Sequence, residues 1–420
     1  MEEKEGIMRE KIILHIDINH CYAQMEEARH PQLKDVPMCV GGSEKTRSGI
    51  VLARNLHAKK FKVTTAEPLR DSFKKCPQLI VIQPDYDYYQ YTADRVKDIY
   101  REYTDLVESF GIDEAWVDLT HSCHLFGTPL EVAQEIQQRV LDEIGLTVSI
   151  GLSYNKIFSK LGSDYRKPAG LTVITKDNFK KIVWPLPCQD LLNVGPSTQK
   201  HLNAMQIYTI GDIAQADPIT LDKQLGKMGA ILWNYANGLE DSDVSIDRPQ
   251  AKSIGNGITP PKDMTSFDET KLVLYVLAES ICSRMKEAGL MASVISLRMR
   301  DTNLITISRQ ITLQYPSHVV GEIMPVVLQL LKDNYYFTKP LRSITITGSK
   351  MVSALKQNQI NMFQEEHRPN QELNLDNVMD DIRDQFGHDS IKRANMLLRE
   401  DLTGFNPKGE HTIFPGGFQK

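Results

Sequence analysis

Hydrophobic positions along the chain follow two spacings, and these divide it into strands and helices. Residues 11–18, KIILHIDI, form a dense apolar run with Asp17 near its end and predict a strand. A helix carrying Tyr22, Met25 and Ala28 follows and stops before His30-Pro31. Residues 37–40 predict a short strand, and 45–84 a small mixed segment whose first part is rich in Lys and Arg. From 88 to 104, Tyr89, Ala93, Val96, Tyr100 and Tyr103 recur at helical spacing. Residues 106–119 read as a hairpin: an apolar run to Phe110, a turn at Gly111, then alternation to Leu119. An amphipathic helix over 129–144, a strand over 147–153, a helix over 155–161 and a strand over 170–174 complete this part.

Pro185 and Pro187 mark a boundary. Residues 186–240 read as short helices with glycine-centred turns, and the polar stretch 241–251 suits a linker. Residues 252–350 alternate as βαββαβ, which predicts a four-stranded sheet with two helices on one face. The stretch 364–420 turns polar and is expected to be loosely ordered, apart from a helix near 373–385. No internal repeat is evident.

Composition adds exclusions. At 41% hydrophobic and 25% charged, the chain is an ordinary globular polypeptide of about three domains. It holds no uncharged apolar run of ~18 residues, and the charged start MEEKEGIMREK lacks the apolar core of a secretory signal, so a cytoplasmic, membrane-free protein is expected. The six cysteines form no C-x-x-C pair, which gives no support to a zinc site or a disulfide framework. A net charge of −5 excludes a uniformly basic coat. Residues 245–355, with 13 Lys+Arg against 9 Asp+Glu, run the other way.

The sharpest chemical signal is acidic. Asp17 ends the first strand, and Asp113 and Glu114 sit at the turn of the 106–119 hairpin. If these strands are neighbours, three carboxylates converge at one sheet edge, an arrangement that is costly without a cation. An all-oxygen set selects Mg²⁺, Mn²⁺ or Ca²⁺ over zinc. Two such ions can clamp the attacking and leaving oxygens of a phosphoryl displacement.

HIDINHCYAQMEE, SFGIDEAWVDLT and SIGLSYNKIFSKLGSDYRKPAG, in that order and spacing, resemble the three motifs of the Y-family (translesion) DNA polymerases. The likeness extends in organisation over about 11–363, and is nearest to the polymerase IV-like members of Gram-positive bacteria. It implies an α+β right-hand polymerase: a mixed-sheet palm (1–44 and 86–185), small fingers (45–85), a helical thumb (186–240), a linker (241–251) and a βαββαβ little finger (252–350). A C-terminal tail (351–420) with a clamp-binding peptide (359–363) would follow.

The resemblance also implies site residues. Two Mg²⁺ ions, replaceable by Mn²⁺, would be held by Asp17, Asp113, Glu114 and the backbone carbonyl of Ile18. Glu114 would serve as a pure ligand or orient the primer 3′-hydroxyl. Tyr22 falls at the steric gate that favours dNTPs, with the Cys21 backbone beside it, and Lys167 matches a lysine that contacts the triphosphate. The fingers depart from the family's N-Y-E-A-R: here Asn55-Leu-His-Ala-Lys59 loses the Tyr and keeps only a charge at Lys59, so weaker or rearranged dNTP binding is expected, with Arg54 a possible compensation. Gly195 sits in a degraded helix-hairpin-helix turn. Lys252, Arg298, Arg300 and Arg309 mark a phosphate-tracking face on the little finger. Gln359, Ile360, Met362 and Phe363 resemble the peptide that docks on the bacterial β sliding clamp.

The expected function is template-directed, low-fidelity DNA synthesis across damaged bases by a monomer without proofreading, acting on primer–template DNA and dNTPs. The alternatives are a catalytically weak relative that occupies DNA and clamp, and another two-metal palm enzyme such as a nucleotide cyclase. The latter needs no thumb, basic little finger or clamp peptide.

Overall fold

Short capping and turn signals set the element ends. In the computed structural model, which describes residues 10–42, 49–246, 250–354 and 370–407, the helix at 129–144 shows this well. It starts with a reciprocal Thr128–Glu131 capping box and Pro129, and ends on Gly145 at φ 80°. The described residues form two compact units, essentially 10–246 and 250–407.

The first unit runs β1 (Ile13–Ile18), α1 (Cys21–Arg29), β2 (Met38–Gly41), β3 (Val51–Arg54), α2 (Leu56–Lys60), α3 (Leu69–Lys75), β4 (Ile80–Ile82), α4 (Tyr86–Arg101), β5 (Val107–Phe110) and β6 (Glu114–Asp118). It continues with α5 (Pro129–Ile144), β7 (Val148–Ser153), α6 (Lys156–Tyr165), β8 (Leu171–Ile174), α7 (Phe179–Ile182), α8 (Pro196–Ala204), α9 (Ile210–Gln215), α10 (Pro218–Leu225) and α11 (Lys227–Ala236). The main sheet has the order β5-β6-β1-β7-β8, so the apolar first strand lies at its centre, buried throughout. A second, three-stranded sheet has the order β3-β2-β4.

The centre strand separates two environments. Leu14, Ile16 and Ile18 join the main core with Val96, Tyr100, Ile136 and Val140 of α4 and α5. Ile13, His15 and Asp17 point to the other face, as strand alternation requires, where α6 crosses the sheet. The approach of α6 is close: a side chain on Gly151 of β7 would collide with the backbone of Ser159 and Ser163 in α6. Glycine at 151 thus sets how near α6 comes to β1.

The second unit comprises β9 (Ser253–Ile258), α12 (Phe267–Glu287), β10 (Leu290–Asp301), β11 (Thr306–Ser317), α13 (Val320–Asn334), β12 (Leu341–Ser353), α14 (Asn370–Phe386) and α15 (Glu400–Thr403). The four strands pair in the order β11-β10-β12-β9. Helices α12 and α13 pack on one face through Leu274, Ile281, Ile323 and Val327 against Ile295, Leu297 and Ile344.

The helix expected near 373–385 is α14, while the expectation of loose order fails for 387–407. Buried Glu279 of α12 accepts hydrogen bonds from Arg383 (2.9 Å) and Arg393 (2.5 Å). Lys286 pairs with Asp380 at 2.6 Å, the Val320 amide donates to Asp376, and Met396, Leu402 and Phe405 enter the core. The segment is polar in composition because it docks largely by charge. Among the described residues, no helix is long and apolar enough to cross a membrane. All six cysteines are free and buried.

Candidate active site

The acidic residues meet because β1 and β6 are antiparallel neighbours. In that register Asp17 lies directly opposite Glu114, so their side chains share a face. Asp113 precedes β6 and its carbonyl accepts the Ile18 amide hydrogen bond at 3.0 Å, closing the strand end around the cluster. All four residues line a cavity of about 1040 Å³ in the first unit.

Two lysines balance this charge. Lys167 Nζ lies 2.6 Å from Asp17 Oδ2, and Lys160 Nζ lies 3.0 Å from Glu114 Oε1 and 4.0 Å from Asp17 Oδ2. Both also pair with Asp164, at 2.7 Å for Lys167 and 3.3 Å for Lys160. The two aspartates still resist ionisation. Burial, with Glu114 nearby and against the pull of Lys167, raises Asp17 to about 6. Burial, then Glu114 and Asp17, raises Asp113 to about 6. Among the described residues, no three His, Cys, Asp or Glu side chains stand gathered as a ready-made metal cage. The donor set nonetheless suits a hard divalent cation: it is all oxygen, and two ammonium groups already stand in for positive charge.

Behind the carboxylates lies a residue whose part the sequence did not disclose. His15 is fully buried on the same face as Asp17, and its Nδ1 bonds Ser163 Oγ at 2.8 Å. That hydroxyl donates to the Lys160 carbonyl, so the ring donates to Ser163 and leaves Nε2 unprotonated, 3.4 Å from Glu114 Oε2. Burial, helped by Lys160, holds its pKa well below the usual histidine value. Its alternation with Asp17 along β1 was the available signal.

Helix α1 begins at the end of β1, after His20 in the left-handed region (φ 37°). Cys21 is its buried first residue and Tyr22 its second, half-buried at the cavity. The Tyr22 ring stacks on Tyr89 (centroids 4.7 Å apart, planes at 15°) and meets Tyr86 edge-on, so it cannot turn freely. Asn19 is fully engaged behind the site, bonded to Thr147, Ser149 and Gln24.

Residues 16–164 match the impB/mucB/samB family model, and 251–362 match the model of that family's C-terminal domain. The chain belongs to the impB/mucB/samB family. DNA polymerase IV of Acetivibrio thermocellus is 39% identical over 394 residues, covering 93% of this chain and 99% of that protein. DNA polymerase IV 2 of Bacillus subtilis is 36% identical over 399 residues, covering 93% and 96%. Among solved structures, a Y-family DNA polymerase chimera matches with a TM-score of 0.73 at 23% identity, over 81% of this chain and 99% of that one. The α+β fold expected from the three motifs is therefore the fold found.

The other predicted residues of this family member fall into separate places. Leu56 and exposed Lys59 of α2 line the cavity, as does Gly195 at the start of α8, where a side chain would meet open space. Lys156, one turn before Lys160 on α6, does not line the cavity: it pairs with Glu108 at 2.7 Å and lies over Trp116.

In the second unit Arg298 and Arg300 are exposed on the sheet face away from α12 and α13, with Thr345 and Ser343 opposite them. Exposed Lys252 immediately precedes β9. Arg309 does not share the Arg298 face. It stands opposite buried Leu297, and its Nε bonds Asn334 of α13 at 3.1 Å. Side-chain alternation makes the error one of parity: Ser308, not Arg309, is the partner of Arg298. The peptide Gln359, Ile360, Met362 and Phe363 lies outside the described residues.

Proposed function

We propose that this chain carries out template-directed, low-fidelity DNA synthesis across damaged template, by two-metal nucleotidyl transfer from dNTP to a primer 3′-hydroxyl and without proofreading. It is a DNA-directed DNA polymerase of the translesion kind. The observation that carries the mechanistic reading is the register of Asp17 against Glu114 beside Asp113, in one cavity with Tyr22 and Lys167.

Asp17, Asp113, Glu114 and the Ile18 carbonyl would hold the divalent ions, Mg²⁺ or in its place Mn²⁺. When bound, these supply positive charge to the attacking and leaving oxygens. Lys167 sits close enough to the carboxylates to follow charge that builds on the departing pyrophosphate. Tyr22, fixed by Tyr89 and Tyr86, forms a rigid floor against which a 2′-hydroxyl would collide. Arg298 and Arg300 track template phosphates, and the peptide at 359–363 ties the enzyme, as a monomer, to the β sliding clamp.

Extension of a labelled primer on undamaged template with Mg²⁺ and dNTPs, beside Asp113→Ala, tests the proposal. Short products that vanish in the variant are expected. No extension with Mg²⁺ or Mn²⁺, from protein that still binds primer–template, would overturn it in favour of a DNA- and clamp-binding protein without catalysis. A 3′-mismatched primer that is extended and never shortened is the matching result for the lack of proofreading.

A further inference from the structure

The fingers pose a problem that the family pattern does not solve. At the two positions where that pattern has Tyr and Arg, this chain has Leu56, which has no hydrogen-bonding group, and Lys59, an exposed point charge without a planar fork. Both line the cavity. A chain of phosphates entering there needs donors from somewhere else on this wall.

Strand β3 supplies one. Its side chains alternate: Val51 and Ala53 are buried, Leu52 and Arg54 only partly covered, and Leu52, Ala53 and Arg54 line the cavity. Arg54 ends the strand immediately before Asn55, and the Asn55 side chain is locked on every side. Its Oδ1 accepts the amides of Met38 (3.1 Å) and Ala58 (2.9 Å), and its Nδ2 donates to Glu27 (2.9 Å) and the Val36 carbonyl (2.8 Å). The backbone that carries Arg54 is therefore fixed to α1 and to β2.

The guanidinium itself is half committed. Nη1 donates to Thr65 Oγ1 at 3.0 Å, while Nε is covered and has no hydrogen-bond partner. No carboxylate pairs with Arg54 among the described residues. A guanidinium with one nitrogen held by Thr65 and no carboxylate beside it suits an anionic oxygen, which can take the donors that Thr65 leaves free. Lys167 lines the same cavity.

We infer that Arg54, steered by Thr65, grips the triphosphate of the incoming dNTP, in place of the residues at 56 and 59. The inference rests on the polymerase reading above. It moves the phosphate grip from α2 to the end of β3, the better-anchored of the two elements.

The test is equilibrium binding of the next correct dNTP to the full chain on a primer–template ended by a dideoxynucleotide, with Mg²⁺, followed by steady-state kinetics on an extendable primer. Arg54→Ala should weaken dNTP binding about tenfold or more, the range for losing charge-assisted hydrogen bonds to phosphate. Its kcat at saturating dNTP should stay within about threefold and its primer–template affinity should be unchanged. Arg54→Lys should fall between, Thr65→Val should lose about threefold, and exposed Lys60, which does not line the cavity, should tolerate Ala. Adding Leu56→Tyr and Lys59→Arg to Arg54→Ala should restore binding. Arg54→Lys and Thr65→Val decide the matter if Arg54→Ala unfolds. A dNTP affinity within twofold of wild type in the Arg54 variants, or a loss matched by primer–template affinity, would overturn the inference. Wild-type extension with normal binding by Arg54→Ala sinks the Arg54 assignment alone. Weakened binding by Arg54→Ala in a protein that never extends sinks the polymerase reading alone.

Discussion

Replacing Asp113 by Asn is expected to stabilise the metal-free protein at neutral pH. Burial, with Glu114 and Asp17 nearby, lifts this carboxyl from 3.8 to about 6. A carboxyl raised on folding supports the fold while protonated: the contribution is complete below about pH 4 and is lost as pH rises through about 6. A rise of about two units corresponds to about 3 kcal/mol at neutral pH. Asp113 keeps some contact with solvent, which screens the effect, so a gain of about 1–2 kcal/mol is expected. For a unit of this size that is roughly 2–8 °C in melting temperature. All three tryptophans, Trp116, Trp184 and Trp233, lie in the first unit, so their fluorescence reports its unfolding apart from the second. In EDTA at about pH 7.5 the variant should melt above wild type, and the gap should shrink as pH falls and close below about pH 4. Mg²⁺ should close the gap at neutral pH by favouring the ionised wild-type cluster. A variant less stable than wild type at neutral pH in EDTA, or a gap independent of pH, would refute the electrostatic account of this site.

Three further outcomes are expected. Tyr22→Ala should raise ribonucleotide over deoxyribonucleotide use, measured as the ratio of kcat/KM, by about tenfold or more; an unchanged ratio would remove Tyr22 as the gate. Arg298→Ala and Arg300→Ala should each lower the slope of log binding constant against log salt by about one on primer–template DNA, while Arg309→Ala, on the helix side of the sheet, should leave it nearly unchanged. Glu279→Ala leaves Arg393 with Asp376 alone and Arg383 with the Ile391 carbonyl, at a cost of about 1.5–3 kcal/mol to the docking of 370–407, and hydrogen exchange there should accelerate; unaltered protection would mean that the ion pairs do not hold the segment.

The strands that carry Asp17, Asp113 and Glu114 were legible because each is a short apolar run ended by a turn signal and an acid. Local pattern suffices for that. The βαββαβ order at 252–350 was legible for the same reason, and the helix at 129–144 to the residue, because its cap and its glycine stop are local. What escaped depends on partners distant in sequence. Arg309 was assigned to the wrong face because parity between β10 and β11 depends on the register of the intervening turn, which composition does not encode. The docking of 370–407 escaped because its charges find Glu279 and Lys286, about 100 residues earlier. His15 was passed over because a histidine inside an apolar run is silent until Ser163 and Glu114 are brought to it.

Asn55 has a consequence for accuracy. Its four bonds, to β2, to the Val36 carbonyl just before it, to α1 and to the following helix, rivet the end of β3 to the helix that carries Tyr22, and nothing in that clasp resembles a hinge. A polymerase that inspects each new base pair by swinging a lid over it can refuse a misfit before chemistry begins. On the proposed polymerase reading, a wall riveted in place would offer no such checkpoint, and right and wrong pairs would enter the same preset chamber. The stiffness that keeps Arg54 in position would then also be what makes the enzyme tolerant, of distorted templates and of its own mistakes.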